Sequence, residues 1–230
     1  MIPVPVQQAG QVRSRLISFD QNESELARLL QFLSADELRR GDRLRDKTRR
    51  ERFLAGRGML REALAEILGE EPGCIRISEG EFGKPYLSDH LEPDSISFNL
   101  SHAGSYLLAA FAAGCEVGVD LEQVRQDLPF RGMAERFFSQ REQEDLFSLA
   151  PQEQLAAFYR CWTRKEAYLK ATGTGFSRPS NSFDVSLLPH HAPALLAHRG
   201  SPAEIDRWRI MDLCAPQGYC AAVAVENPPG

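Results

Sequence analysis

The sequence has little of what would staple a chain or anchor it in a membrane. Its 230 residues hold five cysteines, Cys74, Cys115, Cys161, Cys214 and Cys220, an odd number without a Cys-x-x-Cys pair. That spacing argues against a disulfide framework or a thiolate zinc site and suits a reducing cytoplasm. No apolar run approaches the roughly 20 residues that span a bilayer, so no membrane association is expected. The opening Met1-Ile-Pro-Val-Pro-Val6 lacks the basic stretch and apolar run of a signal peptide. No Gly-x-Ser-x-Gly elbow is present, and the adjacent Ser101-His102 cannot easily present both groups to each other, so nothing supports a Ser-His-Asp hydrolase. Low-complexity segments and repeats are also missing.

What is present is an ordinary globular composition, 43% hydrophobic and 26% charged, enough to bury a core in one large domain or two small ones. The net charge of −5 is uneven. Residues 39–61 carry ten Arg or Lys against Asp42, Asp46 and Glu51, a local +7 that leaves −12 on the rest. A basic patch on an acidic chain suits a compact polyanion better than a long nucleic acid, although a solvated helix face is the plain alternative.

Helices are expected at 23–33 and 43–68, the second with Phe53, Leu60, Leu64 and Ile67 as its apolar stripe and Arg49 and Arg57 turned toward the body. Glu81–Leu87 reads as a turn entering an extended piece. Ser95–Ser101 alternates as a strand, with Ser97, Asn99 and Ser101 on one face. Tyr106–Ala112 is a buried strand or a short helix. In Val117–Glu122, Val117, Val119 and Leu121 point inward, while Gly118, Asp120 and Glu122 share the other side, Gly118 leaving space there. Helical patterns cover 131–149 and 152–171. Short strands follow near 183–187, 194–198, 207–213 and 219–225, before a frayed tail. The mixture favours α+β.

The helix from Gln154 to Lys170 carries an anomaly. Leu155, Phe158, Tyr159, Trp162 and Leu169 share one face, and Glu166 falls on it, between Lys165 and Lys170. A carboxylate on a buried stripe is costly unless a cation or hydrogen bond compensates. Asp120 and Glu122, two apart on a strand, offer a second pair of carboxylates. With no thiol or histidine set, oxygen ligands suggest a hard cation, Mg²⁺ or Mn²⁺. Lysines beside such a group could neutralise phosphate oxygens. A lone His102 is more often structural than a ligand, and Lys84 is a turn lysine.

Taken in order, Gly83-Lys-Pro85, Phe98-Asn-Leu-Ser-His102, Gly118-Val-Asp-Leu-Glu122, Arg136-Phe-Phe-Ser139, Trp162-Thr-Arg-Lys-Glu-Ala-Tyr-Leu-Lys170, Gly173–Pro179 and Gly218-Tyr219 resemble the Sfp-type 4′-phosphopantetheinyl transferases, nearer their Trp/Lys-Glu-Ala branch, over roughly residues 50–225. The resemblance implies two similar α+β halves about a pseudo-twofold axis, residues 1–113 and 114–230, with the site between them. It implies a monomer that moves phosphopantetheine from coenzyme A to a serine of an apo acyl or peptidyl carrier protein. Asp120, Glu122 and Glu166 would hold Mg²⁺, with Glu166 as candidate base. Lys165 and Lys170 would stabilise the pyrophosphate. Ser101, His102 and Lys84 would bind the coenzyme phosphates, with Arg52 and Arg57 at the 3′-phosphate. Phe137 or Phe138 would touch the carrier. Two rivals stay open, a Mg²⁺-dependent nucleotide or diphosphate hydrolase and a non-catalytic carrier-binding module.

Overall fold

The computed structural model describes residues 7–9, 12–80, 83–90, 92, 95–175 and 178–227. Glu81-Phe82 of the expected turn, Phe176-Ser177 of a matched motif and residues 228–230 of the tail lie outside them. In chain order the elements are β1 (Gln7–Ala9), β2 (Val12–Ser18), α1 (Glu23–Leu30), α2 (Ala35–Asp42), α3 (Lys47–Leu68), β3 (Ile77–Glu79), β4 (Pro85–Leu87), β5 (Ile96–Ala103), β6 (Tyr106–Ala113) and β7 (Val117–Gln123). Then follow α4 (Phe130–Phe137), α5 (Gln140–Ser148), α6 (Pro151–Ala171), β8 (Phe183–Val185), β9 (Leu195–His198), α7 (Glu204–Arg207), β10 (Trp208–Asp212) and β11 (Tyr219–Glu226).

Two antiparallel sheets form the centre, ordered β1-β2-β6-β5 and β10-β11-β7. The period-two alternation of their strands builds the layers. Ala109 and Phe111 of β6 pack with Leu60 and Leu64 of α3. The intervening Leu108, Ala110 and Ala112 pack with Val117, Val119 and Leu121 of β7 and Val223 of β11. Ala222 and Ala224, on the far face of β11, join the core of α6. The result is helix on sheet on sheet on helix, an α+β architecture with apolar cores between the layers.

β7 is the strand that positions the site, and both its faces are covered. Gly118 pairs with Ala224, Asp120 with Ala222 and Glu122 with Cys220, so all three point to the α6 side. The open space expected at Gly118 from sequence is absent. A Cβ there would run into the Ala171 nitrogen and the Ala167 carbonyl oxygen, so the missing side chain lets α6 lie directly on the strand. On the edge away from β11, the Asn99 side-chain oxygen accepts the Val119 N–H at 3.0 Å, linking β5 to β7.

Tyr106–Ala113 is a strand, paired on both sides by β2 and β5. The pattern at 131–149 is two helices, because Ser139 and Glu142 form a capping box that starts α5 anew. α2 and β2 were not anticipated. Ser34 and Glu37 cap α2 in the same reciprocal way. Arg49 is exposed rather than inward, since α3 begins only at Lys47 with Asp46 as its cap.

Candidate active site

α6 is buried almost all round, including at Cys161, Arg164, Lys165 and Tyr168, because it lies between the sheet and α4, α5 and β8. From Cys161 to Ala171 the less buried residues are Trp162, Glu166 and Lys170, spaced i, i+4, i+8. Such spacing puts them in one row. Glu166 therefore sits not on the apolar core face but on a stripe of the helix that reaches a cleft. That cleft, about 450 Å³, is lined by Ser101, His102, Asp120, Glu122, Trp162, Glu166 and Lys170 among others. β5 supplies the first two, β7 the acids and α6 the rest, so both sheets contribute.

Within it the Lys170 amine donates to Asp120 Oδ1 at 2.7 Å and to Ser101 Oγ at 2.9 Å, and Ser101 donates to Asp120 Oδ1 at 3.0 Å. Glu122 Oε1 accepts the Trp162 indole N–H at 3.1 Å. Asp120 is 3% exposed, and its Oδ2 is buried without a hydrogen-bond partner. An orphaned buried carboxylate oxygen costs free energy that a bound cation would recover. Burial pushes the Glu166 pKa up to about 7, helped by Asp120 and Glu122 and opposed by Lys170. Glu122 is raised for the same first reason, then by Asp120. Three acids thus repel each other around one lysine. This donor set fits a hard divalent cation held by Asp120, Glu122 and Glu166. Among the described residues, no three such side chains already converge to binding distance.

Two family models divide the chain between them. Residues 18–114 match the 4′-phosphopantetheinyl transferase N-terminal model, and residues 116–224 match the 4′-phosphopantetheinyl transferase superfamily model. The 4′-phosphopantetheinyl transferase HetI of Nostoc sp. (strain PCC 7120) is 40% identical over 209 residues, covering 91% of this chain and 85% of that protein. The chain belongs to the 4′-phosphopantetheinyl transferases. Two further members of the family cover much of it. Sfp of Bacillus subtilis (strain 168) is 31% identical across 95% of this chain and 92% of its own, and ffp of Bacillus subtilis is 34% identical across 84% and 87%.

Set against the positions that resemblance to the transferases implied, the cleft gathers Ser101, His102, Asp120, Glu122, Glu166 and Lys170. His102 is exposed to solvent yet crowded on its protein side, so desolvation lowers its pKa, followed by the charges of Lys170 and Arg52. Arg52 stands over the Phe19 ring, on the same side as His102. The other three cations are elsewhere. The Lys165 amine is 2% exposed and donates to both Glu142 oxygens at 2.7 and 2.8 Å and to the Phe183 carbonyl at 2.8 Å. One residue before Glu166, it leaves the helix on a different side, and adjacency in sequence hid that. Arg57 bonds Glu79 at 2.8 Å and lies near Glu37 rather than beside His102. Lys84 donates to Glu116 at 2.6 Å and to the Ala171 carbonyl at 2.9 Å, at the C-terminal end of α6.

Phe138 is core, 2% exposed and stacked on Phe158, while Phe137 is partly exposed with its ring edge against Trp162. The Trp162–Glu122 bond was missed in the sequence. Its signal was present: Trp162 and Glu166 are four apart, and Glu122 shares their side of β7.

Proposed function

We propose that the protein transfers the 4′-phosphopantetheine group of coenzyme A to the side-chain hydroxyl of a serine on an apo acyl, peptidyl or aryl carrier protein, releasing adenosine 3′,5′-bisphosphate. The observation that carries this reading is the meeting of Asp120, Glu122, Glu166 and Lys170 in one cleft of a chain that belongs to the transferases. Phosphoryl transfer asks a protein mainly for positioning and for neutralisation of charge, and this cleft is built of charge.

Asp120, Glu122 and Glu166 would hold Mg²⁺, or Mn²⁺, and the unpartnered Asp120 Oδ2 supports that assignment. When bound, the ion would offset negative charge on the coenzyme pyrophosphate. Lys170, already placed by Asp120 and Ser101, supplies positive charge to the same phosphates. Ser101 and His102 line the coenzyme's side of the cleft, and Arg52 serves the 3′-phosphate. Glu166, directly or through a water, is the candidate base for the proton of the carrier serine as its oxygen attacks phosphorus. Trp162 holds Glu122 in orientation through its N–H. Lys165 serves this site only by fixing α6. We read the two sheets as the two halves, divided at 113/114, in a cytoplasmic monomer. Among the described residues no helix is long and apolar enough to cross a membrane, and no disulfide joins the cysteines.

Intact-protein mass spectrometry of an apo carrier incubated with the protein, coenzyme A and Mg²⁺ tests the reading. The expected result is a gain of one phosphopantetheine, lost with EDTA and with Glu166→Gln. Release of nucleotide without any gain by the carrier would favour a hydrolase instead.

A further inference from the structure

The Gly218-Tyr219 motif and the glycine in the β5–β6 turn have no part in the chemistry described above, yet they meet. Gly218, at φ +81°, turns the chain into β11, and its carbonyl accepts the Val124 N–H at 2.8 Å. Tyr219, the first residue of β11 and paired with Gln123 of β7, thereby places its side chain at the tip of the hairpin that ends β5. Its hydroxyl oxygen accepts the Ser105 N–H at 3.3 Å, and its ring meets Tyr106 edge-on at 5.1 Å. Gly104 has φ +51°, and a Cβ on it would strike the Tyr219 hydroxyl oxygen and approach Tyr219 Cζ at 3.1 Å and the Gln123 side-chain oxygen at 2.8 Å. The turn residue is thus tailored to let the tyrosine in.

The same turn is gripped from the other side. The Ser105 carbonyl accepts the Phe19 N–H at 2.8 Å, and Arg52 lies over the Phe19 ring with its Cζ 5.8 Å from the centroid. His102 is two residues before Gly104 on the same hairpin. The hairpin tip therefore fixes the angle between the strand carrying Ser101-His102 and the segment under Arg52. Ser105 is exposed at the tip, while Tyr106 and Tyr219 are half-buried and pack against the core between the two sheets.

We propose that Tyr219, seated against Gly104, is a positioning residue that sets His102 and Arg52 at the spacing needed to receive the 3′-phosphate of coenzyme A. The proposal rests on the reading of those two residues as coenzyme contacts. Misplacing a binding group by a fraction of an ångström weakens the contact it makes, while Glu166 and Lys170, in the same cleft, are carried by α6 and Lys170 stays tied to Asp120 of β7.

The test is steady-state kinetics of Tyr219→Phe, Gly104→Ala and the double variant, with coenzyme A and with 3′-dephospho-coenzyme A, alongside melting temperatures. Gly104→Ala is expected to raise KM for coenzyme A by about tenfold, with kcat within about twofold. Tyr219→Phe alone is expected to raise it by about two- to threefold, the loss of one long hydrogen bond. Adding Tyr219→Phe to Gly104→Ala should recover activity rather than cost more, because the clashing oxygen is gone; KM should fall by about threefold from the Gly104→Ala value. None of the three should change KM for the dephospho substrate. Equal KM shifts for both coenzymes, a fall in kcat that tracks melting temperature, or a double variant worse than Gly104→Ala would overturn the proposal. Should the parent protein transfer nothing, the functional reading falls instead. The tie itself is then read by hydrogen exchange of the Ser105 amide, which Tyr219→Phe must accelerate and which, if unchanged, removes the tie.

Discussion

Replacing Lys165 by methionine separates the two roles open to this residue. Its amine donates to both oxygens of Glu142 and to the Phe183 carbonyl, and lies 4.2 Å from the centre of the Phe183 ring. Lys165 and Glu142 are 2% and 1% exposed. Glu142 also accepts the Ser139 and Val185 N–H groups, both at 2.8 Å, so one carboxylate joins α5, α6 and β8. Lys165→Met leaves that carboxylate buried without a counter-charge, a loss of about 3–5 kcal/mol. For a chain of this length each kcal/mol lowers Tm by about 2–4 °C, so melting followed by circular dichroism should drop by about 6–20 °C. Lys165→Met with Glu142→Gln removes both charges and should recover part of that loss. Transfer assayed well below the lowered Tm should keep kcat within about threefold of the parent, because no reacting group has been removed. An unchanged Tm with kcat down by about a hundredfold would refute the reasoning and return Lys165 to the pyrophosphate.

Glu166→Gln should lower kcat by about 10²–10³ without lowering Tm, the rate measured by carrier mass shift at early time points. In EDTA-treated protein, a Glu166 pKa raised from 4.5 to about 7 means that the folded state binds the extra proton between those values. This contribution to stability is therefore complete below about pH 4.5 and is lost as pH rises toward 7, so Glu166→Gln should flatten the fall in Tm over that window. Gly118→Ala should destabilise by at least about 1–3 kcal/mol, since the new methyl meets helix backbone that cannot swing aside; a melting curve matching the parent would mean that α6 does not lie where described.

Local pattern sufficed for much of the protein. The alternation of Ile96–Ser101 and Val117–Glu122 announced strands, and it placed Asp120 and Glu122 together because side chains on a strand repeat every second residue. The three- and four-residue steps of α6 linked Trp162, Glu166 and Lys170 in the same way. The ordered motifs were specific enough to indicate the family. Two further features were legible but unread, the Ser34–Glu37 and Ser139–Glu142 capping boxes, each a serine followed by glutamate three residues later. Only the tertiary structure showed which cations line the cleft. Lys165, Lys170, Arg57 and Lys84 look alike as charges in a sequence, but a charge acts through its neighbours in space. Glu142, Glu79 and Glu116, each more than 20 residues away in the chain, claim three of them. Lys170 alone of these four reaches Asp120, because Gly118 lets the last turns of α6 settle onto the strand that carries it.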